Sequence, residues 1–141
     1  MSGVLNYGGF RGINLAPPVA AADASTKAYT DAVRLPRVQS FVNTSGTLNL
    51  DCNAYDVFHL SLAGNVSLNF LGGSNNQSIQ LRIKQDTVGS RTVQLPANVR
   101  FNTNVPSYTA STTASVLDKL GLHFDSIDNK FDLLAVVKGI V

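Results

Sequence analysis

The sequence predicts an all-β fold: an antiparallel β-sandwich or jelly-roll-like head, preceded by an extended N-terminal arm that carries one short helix. Three observations lead there. Beyond residue 38 apolar side chains recur with a period of two, turn-forming residues separate these runs, and only one stretch, near the N-terminus, shows a helical period. The expected organisation is an attachment arm over residues 1–37, with the helix at about 22–33, and a head domain over residues 38–141.

The first 20 residues hold four glycines and the pair Pro17-Pro18, while Val4, Leu5, Tyr7, Phe10, Ile13 and Leu15 follow no sustained period. Such a segment cannot close a core of its own, and its frequent apolar anchors predict that it lies extended along a partner. Those six residues are the candidate attachment contacts. In the next stretch, AAADASTKAYTDAV, Asp23 or Ser25 is placed to cap a helix, accepting from the free N–H groups of its first turn. At about 100° per residue, Ala21, Ala24, Ala28 and Ala32 share one small, smooth face. Lys27 and Asp31 form an i,i+4 pair in the weaker order. A helix this short is not stable alone, so it must dock, either around a symmetry axis or onto its own head.

In the head, Phe58, Leu60 and Leu62 alternate with Val57, His59 and Ser61; Gly64-Asn65 then reads as a turn and Val66, Leu68 and Phe70 resume the pattern, predicting a hairpin. SIQLRIKQ is the clearest strand, with Ile79, Leu81 and Ile83 inward and Gln80, Arg82 and Lys84 outward. After the turn Asp86-Thr87-Val88-Gly89 come inward rows at Val93 and Leu95, then Val99 and Phe101, then Leu120, Leu122 and Phe124. Beyond the loop Ser126-Ile127-Asp128-Asn129 the last inward row is Phe131, Leu133, Ala135 and Val137. That is about eight short strands, as in sandwiches and related barrels, and no crossover helices are present for a parallel α/β sheet. The C-terminal segment also bears Leu134 and Val136 on its other face, so it is expected to be covered on both sides, under a loop or in a subunit interface.

Charged residues make up 14% of the chain, against roughly 25% in soluble domains, with Asn, Ser and Thr in their place and no Glu. A surface of small neutral polar groups costs little to desolvate, which predicts self-association. Ala21, Ala24, Ala28, Ala32, Leu134 and Val136 are the candidate residues of an interface between subunits. The net charge of +2 resides in the first 40 residues, so no basic stripe serves nucleic acid. No window approaches about 18 apolar residues, so membrane insertion is not expected, and no signal-peptide pattern opens the chain. The single Cys52 excludes an internal disulfide framework and a cysteine metal cage, and it reads as a small half-buried residue.

A hydrolase needs a nucleophile beside a base. His59 and His123 both fall on polar strand faces, and no Gly-x-Ser-x-Gly elbow or phosphate-cradling Gly-Lys run is present. Asp51, Asp56, Asp86, Asp118, Asp125, Asp128 and Asp132 mostly sit beside turns, where the carboxylate serves the backbone. The sharper readings are a metal held by one histidine per subunit on a three-fold axis and sugar stacking by Tyr55 or Tyr108. The expectation is a protein that is not an enzyme, with no catalytic residues, no cofactor and no resident metal.

Residues 13–32, INLAPPVAAADASTKAYTDA, resemble a segment that recurs in tail-fibre and related virion proteins of tailed bacteriophages, through Ile13, Asn14, Leu15, Pro18, Asp23, Ala24, Thr26, Lys27, Tyr29 and Asp31. Thr30 departs from the family's usual Val. A second resemblance, to the head domains of phage fibres and appendages, covers IQLRIKQDTVGSRTVQLPANVRF and LHFDSIDNKFDLLAVVKG, with Phe131 where those domains commonly have Trp. The two imply a homotrimeric virion component, made in the host cytoplasm. Its arm would bind other virion proteins of the tail, baseplate or capsid, and its β head would meet a host-surface glycan or protein. The alternative is a capsid decoration, or cement, protein whose arm clamps capsid subunits.

Overall fold

A computed structural model describes residues Pro36–Val141; the helix expected at 22–33 lies outside the described residues. Seven strands follow one another: β1 (Val38–Asp51), β2 (Val57–Leu71), β3 (Ser78–Lys84), β4 (Val93–Gln94), β5 (Val99–Arg100), β6 (Leu117–Asp125) and β7 (Lys130–Ile140). They form one curled sheet in the order β1-β2-β3-β6-β7-β5, with β4 beside β2, and no helix occurs among the described residues.

The all-β class is as expected, but the pairing is mixed. Only β3 with β6 and β6 with β7 run antiparallel; β1 with β2, β2 with β3, β2 with β4 and β5 with β7 are parallel. Parallel neighbours occur without crossover helices: the long β1 and β2 lie side by side over most of their length, and β3 and β4 pair in turn with the two ends of β2. Val38, Val57 and Gln80 stand side by side at one place in the sheet, and Thr47, Ser67 and Gln94 at another. The bend in β1 falls where its register with β2 shifts, between Phe41 and Gly46, and left-handed φ angles at Asn43 and Gly46 supply it.

The hairpin expected at Gly64-Asn65 does not form. Neither residue has the positive φ such a turn requires, and β2 runs straight through both. Gly64 answers a different need, since a Cβ there would come within 2.9 Å of Ser45 Cβ at the bend of the adjacent β1.

Alternation fills the interior. Phe58, Leu60, Leu62, Val66, Leu68 and Phe70 on β2, Ile79, Leu81 and Ile83 on β3, and Leu120, Leu122 and Phe124 on β6 are all buried. Opposite walls meet at Phe131 of β7, whose ring lies 4.8 Å from that of Phe70 and 4.7 Å from that of Phe124. Outside, neutral polar side chains bridge the strands: Asn69 Nδ2 donates to Asn49 Oδ1 at 3.1 Å and Ser67 Oγ to Gln94 Oε1 at 3.2 Å.

The C-terminal strand departs from its expected alternation. Leu122 pairs with Leu133 but Gly121 with Ala135, so Leu134 is an extra, bulged residue and is 60% exposed. The bulge re-phases the rest of β7: Val136 packs on the core, while Ala135 and Val137, both expected inward, face out. Phe101, also expected inward, lies just past the two-residue β5 and is exposed.

Candidate functional sites

Three of the described arginines are neutralised locally. Arg37 binds Asp56, Arg91 binds Asp86, and Arg100 gathers Asp125, Asp128 and Asp132 around one guanidinium. The hydrogen bond from Arg37 holds the Asp56 carboxyl down at about 2. Three aspartates also serve turns as expected: Asp51 accepts from Asn53 N–H, Asp86 from Val88 and Gly89, and Asp125 from Ile127.

Asp118 differs. It occupies an inward position of β6 and is only 2% exposed. Burial pushes its carboxyl up, but Ser111 Oγ–H and N–H, Gly139 N–H and Tyr108 O–H all donate to it and together hold it below the ordinary carboxylate value. A buried anion with four donors is a structural tie between the 101–116 loop, β6 and the end of β7. Counting back by two from Leu120 puts Asp118 on the inward face of β6, a signal the sequence carried; its partners have no local signal.

The histidines are kept apart. On β2, His59 faces Arg82 of β3, with Arg82 Nη1 at 3.3 Å from His59 Nε2. A guanidinium only donates, so this contact requires a neutral ring with Nε2 as acceptor. Burial, and then the Arg82 charge, push the His59 pKa down in the same sense. His123 of β6 instead lies in the ladder between Ser78 and Asp132. Among the described residues no three His, Cys, Asp or Glu side chains of one chain converge as metal ligands.

Both tyrosines expected as sugar platforms are half-buried. The Tyr55 ring meets Phe58 edge-on at 6.3 Å, and Tyr108 is packed against the core with its hydroxyl on Asp118. Cys52 is fully rather than half buried, and burial raises its thiol to about 12, which keeps it protonated and unreactive. Of the residues expected in a trimer interface, Leu134 stands exposed on β7 and Val136 packs inward; Ala21, Ala24, Ala28 and Ala32 lie outside the described residues, as do the arm contacts Val4, Leu5, Tyr7, Phe10, Ile13 and Leu15.

Comparison of the chain with protein-family models, curated proteins and solved structures gives no match in any of the three.

Proposed function

We propose that the chain is a structural protein of a bacteriophage virion, a trimeric tail-fibre or fibre-tip component without enzymatic activity. Its arm, with the short helix at about 22–33, attaches to the particle, and its β head projects for contact with a host surface. The observation that carries this reading is the segment of residues 13–32, INLAPPVAAADASTKAYTDA, with its likeness to tail-fibre proteins. The head is compatible with it: its outer face is clad in Asn, Ser and Gln side chains that bond across strands, and Leu134 and Val137 of β7 are left exposed, apolar surface suited to a neighbouring subunit.

Light scattering on the purified full chain tests the assembly. A trimer is the expected result, and a monomer at micromolar concentration overturns it. Gold-labelled antibody on intact particles then separates the two virion placements: label at the tail is expected, and label spread over the capsid would replace the fibre with a cement protein.

A further inference from the structure

Among the described residues Arg82 is the one arginine with no carboxylate partner. Its neighbours make that conspicuous. In the sheet Arg82 stands between His59 on β2 and Lys119 on β6, and Lys84 follows two residues along the same outward face. Like charges directly opposite one another destabilise a sheet, yet among the described residues no acid within ion-pair distance offsets Arg82, Lys84 or Lys119. Of the five donors of Arg82, Nη1 meets only a histidine nitrogen, and Nε is buried without any partner.

Arg82 and Lys84 border a cavity of about 280 Å³ over β2, β3, β6 and β7, lined also by His59, Ser61, Leu117 and Ile140 among others. Its floor follows the ladder, with Ser61 beside Lys84, Lys84 beside Leu117, and Leu117 beside Ile140. One end therefore offers a guanidinium, an ammonium, an imidazole and a hydroxyl; the other, at Leu117, Ile140 and Val141, is mainly aliphatic, with the hydroxyl of Ser115 beside it. The polar end suits a tetrahedral oxyanion, which takes charge-assisted hydrogen bonds from several directions. The volume, just under the roughly 300 Å³ of the smallest ligand pockets, leaves room for a further small, partly apolar body against Leu117 and Ile140.

We propose that this pocket binds a phosphate or sulfate group carried on a small ligand of sugar size, the oxyanion resting on Arg82 and Lys84. The site stands independently of the virion assignment. The full chain, isotope-labelled, is titrated at constant ionic strength with glucose 6-phosphate, glucose 6-sulfate, inorganic phosphate and glucose, following the Arg82 side-chain signal and the amides of β2 and β3. Saturable shifts with at least one ester, tighter than with inorganic phosphate and absent with glucose, are expected. Arg82→Gln should weaken binding about tenfold or more, the loss typical of a charge-assisted hydrogen bond, and Lys84→Gln, at an exposed side chain, gives the same direction without touching the interior. Lys130→Gln, away from the pocket, should bind as the parent does. Absence of saturation with both esters, inorganic phosphate binding as tightly as they do, or unchanged binding in both Arg82→Gln and Lys84→Gln would overturn the proposal.

Discussion

Asp118 is a buried carboxylate on which four donors converge. Replacing it with Ala strips one acceptor from four donors at once, two of them backbone N–H groups of Ser111 and Gly139. A cost of about 3–5 kcal/mol is expected from donors left unpaired in a buried site, measurable by urea unfolding. Asp56 contributes to the acid limb of stability, together with Asp86, Asp118 and Asp125, whose carboxyls are also held low. The folded value of Asp56 is depressed to about 2 from an ordinary 3.8, so its contribution is complete above 3.8 and is lost as the pH falls towards about 2. Thermal unfolding should show that decline, and Arg37→Gln, which removes the first cause of the depression at Asp56, should make it shallower. At this scale much was legible: Asp86 and Asp125 serve turns because an Asp that opens a turn accepts locally from the N–H groups two or three residues on. The partners of Asp118 were not, since Tyr108, Ser111 and Gly139 reach it through the tertiary fold.

Among the elements, β3 offers the direct test of alternation. Leu81 is fully buried between β2 and β6 while Gln80 points outward. Leu81→Ala should cost about 2–5 kcal/mol as an emptied leucine site, and Gln80→Ala less than about 0.5 kcal/mol as a surface change; equal costs would mean the strand is wrongly phased. The unbroken β2 shows a signal that was present and misread. A two-residue turn at Gly64-Asn65 would set Ala63 and Val66 on one face, sending Val66, Leu68 and Phe70 away from the side of Leu62. All of them are buried together with Leu62, as even-numbered positions of one continuous strand must be. The bulge at Leu134 had no such signal, because its position is defined by where Gly121 and Leu122 lie on the partner strand.

For the molecule as a whole, residues Pro36–Val141 contain one continuous apolar core, from Leu48 on β1 to Leu133 on β7. A fragment of those residues should therefore fold by itself, giving a β-type circular dichroism spectrum and a cooperative thermal transition; an unfolded fragment would show that the preceding residues complete the core. The inward rows that build this core were readable as a period of two, whereas the parallel order was not, because pairing joins segments far apart in sequence and a strand's own residues do not state its neighbour's direction. The parallel pairing has a kinetic consequence. Strand β1 cannot pair by a local turn: Val38 waits for Val57, Val57 for Gln80, and β3 for a β6 that is made much later in the chain. Each of those closures spends chain entropy before any contact returns it, so the barrier is set by topology, and refolding from denaturant should run in roughly milliseconds to seconds rather than the microseconds open to helical bundles.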